Sequence, residues 1–71
     1  MQLNIEAILQ LIKDRFRNNK TAFAEEIGVS RVYLNLVLNK KAALHSSKIC
    51  NGVMMYCEKN NLDYTDYIFL S

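Results

Sequence analysis

Apolar side chains at Ile5, Ile8, Leu9, Ile12 and Phe16 recur every three or four residues and predict a first helix over roughly 4–17. Asn4 stands where its cap is needed, and Lys13, Arg15 and Arg17 gather near its end, where cations suit the helix dipole. Asn18 and Asn19 break the pattern, and Asn19 can cap a second helix that begins at Lys20. From there to Asn39 the chain reads KTAFAEEIGVSRVYLNLVLN, two short helices joined by a connection that needs a residue tolerant of positive φ. Gly28 falls at that place, and Ser30 follows as the cap of the next helix. Phe23, Ile27, Val29, Leu34 and Val37 are expected to point between these helices or into the domain, while the small Ala24 lets them approach near the turn.

Placing successive residues about 100° apart on the helix after Ser30 puts Ser30, Leu34 and Val37 inside, with Tyr33 and Leu38 beside them. The opposite face carries Arg31, Val32, Asn35, Leu36 and Asn39. A guanidinium, two amides and two aliphatics on one face offer hydrogen bonds to base edges and apolar contact to a thymine methyl, the requirements of major-groove readout.

Beyond that helix, Asn39, Lys40 and Lys41 form a polar, basic corner, and Ala42 to His45 lead to Ser46, a cap for a fourth helix ending near Asn60. Ile49, Cys50, Val53, Met54 and Cys57 are expected to face inward on it, with Tyr56 at the edge. Asp63 can cap a short last helix over roughly 64–69, with Asp66 at the capping-box position. Tyr64, Tyr67, Ile68, Phe69 and Leu70 are too many large apolar groups for one narrow face. Some should close the core over the first helix; the remainder, with Leu3 or Leu11, are expected to form a patch that pairs with a second copy.

Length and composition narrow the class. Seventy-one residues make one small domain, 1–71, with 51% hydrophobic residues, two glycines and no proline, a composition suited to a compact helical unit, and the helices predicted above make it an all-α one. A chain this short buries only about 60% of its unfolded surface, so association with a partner would help its stability. The net charge of +2 conceals a concentration: residues 13–48 carry eight Lys and Arg against three acids, and both flanks are net negative. That basic stretch holds the paired short helices, as phosphate contact requires; cations solvating the exposed faces of a small protein would give a similar count. Lys20 at a helix start opposes the dipole, a cost that a phosphate placed there would reverse.

Cys50 and Cys57, seven apart on one helix, would sit about 10 Å from each other, beyond disulfide reach. With His45 as the sole histidine there is no spaced set for zinc, and no nucleophile, base and orienting group for catalysis. No metal, cofactor, small-molecule substrate or enzymatic step is expected. The chain shows no signal-peptide pattern and no apolar run near about 18 residues, so a soluble cytoplasmic protein is expected and a membrane partner is not.

The run FAEEIGVSRVYLNLVLNKK, with its large-Ala pair, Ile-Gly-Val-Ser and the later Leu and Val positions, resembles the Cro/CI-type (Xre-like) helix-turn-helix family of phage and bacterial transcriptional regulators. The resemblance covers about a quarter of the chain and implies a lambda-repressor-like fold, a five-helix bundle with which the flanking helices are compatible, with its helix-turn-helix at 20–39. It departs from the family at Lys20, where Gln is usual, and at Lys40, where Gly is usual, leaving Asn39 or Lys40 to supply a left-handed cap. The implied function is sequence-specific binding of double-stranded DNA by a small phage or mobile-element repressor, acting as a homodimer on a palindromic operator. Base contacts are then expected from Arg31, Val32 and Asn35, with Leu36 and Asn39. Phosphate contacts are expected from Lys20, Lys40 and Lys41, the Tyr33 hydroxyl, and the helix-start residues Asn19 and Ser30. A different-class alternative is a protein-interaction module, an antirepressor or a regulator's partner, that keeps the fold without the DNA.

Overall fold

The computed structural model of the protein describes residues 2–40 and 47–69. In chain order its elements are β1 (Gln2–Leu3), α1 (Ile5–Phe16), α2 (Lys20–Ile27), α3 (Arg31–Leu38), α4 (Ser47–Lys59), a single 3-10 turn (Tyr64–Asp66) and β2 (Ile68–Phe69). The protein is mostly helical, in line with the all-α expectation.

Three helix starts are held by the residues the sequence assigns to them. Asn4 Oδ1 accepts from the Ala7 N–H at 3.3 Å, Asn19 Oδ1 from Ala22 at 3.1 Å, and Ser30 Oγ from Tyr33 at 3.1 Å. Each satisfies one of the backbone donors that a helix start leaves open. Gly28 ends α2 with φ 79°, and the Val29 N–H donates back to the Ala24 carbonyl at 3.0 Å. This left-handed closure turns the chain sharply and drives Val29 into the core, so α3 leaves α2 after a very short connection. At the far end of α3 the left-handed residue is Lys40, φ 59°, while Asn39 stays at φ −91°.

One cluster of buried side chains joins all four helices and both strands: Leu3, Ile8, Ile12, Phe23, Leu34, Val37, Ile49, Val53 and Ile68 are each 2% exposed or less, and Tyr64 of the 3-10 turn packs half-buried against them. Phe16, Phe23 and Tyr56 pack as an aromatic triangle with ring centroids 5.3, 5.7 and 6.0 Å apart, tying α1, α2 and α4 together. On α4, Gly52 passes so close to the end of α2 that a Cβ built on it would lie 2.4 Å from the Ile27 carbonyl oxygen. Its glycine is therefore a matter of space. Lys59 and Glu26 add an exposed ion pair at 3.5 Å between the same two helices.

Several expectations are corrected. The last helix over 64–69 is absent: after the 3-10 turn, capped by Asp63 onto the Thr65 N–H at 3.0 Å, the chain extends and β2 pairs antiparallel with β1, Leu3 opposite Ile68 and Gln2 opposite Phe69. The Asn4 N–H donates to Tyr67 O at 2.9 Å and continues this pairing. Extension wins because it buries Leu3 and Ile68 together while meeting backbone hydrogen bonds. Leu3 and Leu11 are therefore core residues, 2% and 4% exposed, and cannot form a pairing patch. Leu9, placed in the apolar stripe, is instead 40% exposed. Tyr56 is buried rather than at the edge, Met54 is only half-buried, and Ser30 faces solvent. Ser46 and Ala42 to His45 lie outside the described residues, as does Leu70.

Candidate nucleic-acid interface

The outward face of α3 follows from its inward one. Leu34, Val37 and Leu38 are buried, which fixes the rotation of the helix and leaves Arg31 and Asn39 exposed, with Val32 66% and Leu36 41% exposed. Asn35 is half-buried at the margin of this ridge, and Tyr33 is half-buried against the core. The expected base-contact residues thus share one accessible face, with two modifications. Asn35 has less freedom to reach outward, and the Asn39 amide donates to the Asn35 carbonyl at 2.8 Å, capping its own helix.

Charge is arranged unusually along the pair of helices. In α1 the dipole is conventionally matched, with Glu6 in the first turn and Lys13 and Arg15 in the last. Neither α2 nor α3 has an acid in its first turn, and each begins with a cation, Lys20 and Arg31, both exposed. Two positive dipole ends carrying added positive charge repel cations and attract an anion. Asn19 and Ser30 are exposed beside them, although the side-chain oxygen of each already accepts a cap bond. Lys40 is exposed past α3 and borders a groove of about 300 Å³ that Glu6 and Phe69 also line. Lys41 lies outside the described residues.

Arg17 is a residue that the pattern of apolar positions underrates. The pattern predicts only the cationic end of the first helix there, yet Arg17 sits in the left-handed region with φ 52°, followed by Asn18 at φ 62°, and is exposed three residues before Lys20. The paired asparagines after it are the sequence signal for such a left-handed corner.

Displaced pKa values occur on α4 and in the C-terminal turn. Burial pushes the Cys50 and Cys57 thiols up, Cys57 further helped by the Asp63 and Asp66 carboxylates; burial likewise raises Tyr67. Hydrogen bonds from the Thr65 hydroxyl and N–H hold Asp63 below its usual value. Among the described residues no group of three or more His, Cys, Asp or Glu is placed to hold a metal ion, and no helix is long and apolar enough to cross a membrane. No family model, curated protein or solved structure matches the chain.

Proposed function

We propose that this chain is a sequence-specific double-stranded DNA-binding transcriptional regulator of the Cro/CI helix-turn-helix kind, a small phage or mobile-element repressor that works in the cytoplasm as a homodimer. The observation that carries the reading is the exposed face of α3, with Arg31, Val32 and Leu36 outward and cations at the starts of both α2 and α3. In this reading α2, the Gly28 turn and α3 are the helix-turn-helix. Lys20, Lys40 and Lys41 anchor phosphates without choosing sequence, Arg31 prefers guanine, and Asn35 prefers adenine. A two-fold dimer places its half-sites about 34 Å apart.

The test is a fluorescence titration of the full chain against duplexes enriched from a randomised pool, repeated across salt concentrations. Recognition of phosphates requires affinity to fall steeply as salt rises, with Lys20→Ala lowering the log–log slope by about 1 for all sequences and Arg31→Ala relaxing preference at one position. Affinity indifferent to salt, or no enrichment at all, refutes the proposal. The second reading, a protein-interaction module, is favoured by the aliphatic share of the same face, Val32 and Leu36. It predicts a protein partner whose binding survives Lys20→Ala.

A further inference from the structure

The side chains on α3 that reach solvent are mostly not hydrogen-bonding groups. Val32 is 66% exposed and Leu36 41% exposed, and at a spacing of four they stand one above the other on the helix. Asn39 has turned its amide back onto the Asn35 carbonyl at 2.8 Å, and Asn35 itself is half-buried. This leaves Arg31 as the exposed polar group at the first turn, the Asn35 amide at the margin, and two aliphatic knobs standing out along the remainder of the ridge. Exposed cations begin α2 and α3, Lys20 and Arg31, and Lys40 follows the end of α3, a charge on the strip's own helix and its partner helix that matches a polyanion and argues for DNA as the occupant of this apolar strip.

An aliphatic side chain in the major groove cannot read donors or acceptors. It reads shape and methyl groups, and the methyl available there is on C5 of thymine. The rise between Val32 and Leu36 is about 6 Å, close to two base steps of about 3.4 Å. Resting on the DNA-binding reading, we propose that Val32 and Leu36 make this ridge a reader of pyrimidine 5-methyl groups, which recognises two thymine methyls about two steps apart. It accepts 5-methylcytosine at the same positions in preference to cytosine, because the added methyl occupies the same place in the groove and nothing on Val32 or Leu36 addresses the exocyclic oxygen or amine.

The probe is the duplex enriched from a randomised pool on the full chain, resynthesised with deoxyuridine in place of single thymines, and separately with cytosine or 5-methylcytosine there. Each contacted methyl removed should weaken binding about four-fold, and both together roughly fifteen-fold. At the same positions 5-methylcytosine should bind about four-fold tighter than cytosine. Val32→Ala should erase the methyl effect at one position and Leu36→Ala at the other. Both residues are solvent-exposed, and a circular-dichroism melt checks that each variant folds. Binding that stays sequence-specific and salt-dependent while ignoring every deoxyuridine substitution overturns the methyl reading and leaves DNA recognition standing. A methyl effect that persists undiminished in both alanine variants overturns its assignment to these residues. Failure to enrich any duplex at low salt overturns DNA recognition and the methyl reading together.

Discussion

Replacing Gly52 by Ala sets two well-understood effects against each other. In an exposed helix interior, Gly→Ala stabilises by about 1 kcal/mol, since glycine loses more backbone freedom on folding. At Gly52 the added Cβ would lie 2.4 Å from the Ile27 carbonyl oxygen, 3.1 Å from its Cβ and 3.3 Å from its carbonyl carbon. Ordinary carbon–oxygen approaches start near about 3.3 Å, so α4 must retreat from the end of α2 by close to 1 Å. The obstructing atoms are mainly backbone and the β-branch of a buried isoleucine, so no rotamer change clears the space. Overpacking costs about 1–3 kcal/mol, and a clash with backbone atoms that cannot move aside belongs in the upper part of that range, about 2–3 kcal/mol, which outweighs the helical gain and leaves a net destabilisation of about 1–2 kcal/mol. In a domain this small that lowers Tm by roughly 5–15 °C. Urea unfolding followed by circular dichroism, with the exposed neighbour Asn51→Ala as control, measures it directly. The control should be neutral or slightly stabilising. A Gly52→Ala protein as stable as the wild type would show that α2 and α4 are not in contact at this point.

Gly28 provides the opposite case: nothing lies within 4 Å of a Cβ built there, so Gly28→Ala should be strained only by its φ of 79°, losing about 1–2 kcal/mol, with Gly28→Asn recovering part of it in the same urea assay. Ser30→Ala removes the cap of α3 and should lower stability by about 1 kcal/mol; an unchanged midpoint would deny the cap its role. Asp63 is held below its unfolded value, so its contribution is present above about pH 3.8 and is lost as pH falls through the folded value; Asp63→Ala should flatten acid unfolding in that range. For Cys57 the sign reverses. Burial raises the thiol above 9.0, so its contribution is full below that pH and declines as pH climbs past it, and Cys57→Ala should lessen the fall in urea midpoint between pH 8 and 10.

The parts of this fold that were legible in the sequence are those decided within a few residues. Asn4, Asn19 and Ser30 cap helices because a short polar side chain next to an apolar repeat has few better uses, and Gly28 ends α2 because a positive φ is needed there. The candidate ridge was legible for the same reason: with Leu34 and Val37 inside, the rotation of α3 leaves Arg31 and Val32 outside. What depended on distant partners was misread. Leu9 and Leu11 are separated by about 200° around α1, and either fits an apolar stripe containing Ile8 and Ile12. Leu11 is the buried one, 4% exposed in the core cluster against which Tyr67 packs from the other end of the chain, a neighbourhood that no local pattern reveals. The last helix failed likewise. Residues 67–69 join aromatic and β-branched side chains, which suit a strand, yet the strand exists only because Gln2 and Leu3 meet it from the other end of the chain. The Asn39 amide was also misjudged, since solvent-facing geometry alone does not show that it closes its own helix.

The proposed recognition surface inherits its shape from these distant contacts. Eight residues each, α2 and α3 are shorter than the 12–15 or so at which isolated helices become even marginal in water, so neither holds its form alone. Their form comes from Phe23, Ala24, Ile27, Val29, Leu34 and Val37, all buried in the same cluster, and from α4 resting against the end of α2 at Gly52. A variant that shifts α4 therefore moves the pair of helices without touching a solvent-facing residue. Gly52→Ala should on this account weaken sequence-specific binding at temperatures where the chain is still folded, while leaving the salt dependence nearly unchanged, because phosphate attraction tolerates a shift of about 1 Å that base-edge contacts do not. Loss of affinity that only tracks the fraction unfolded would refute this coupling and make Gly52 a determinant of stability alone.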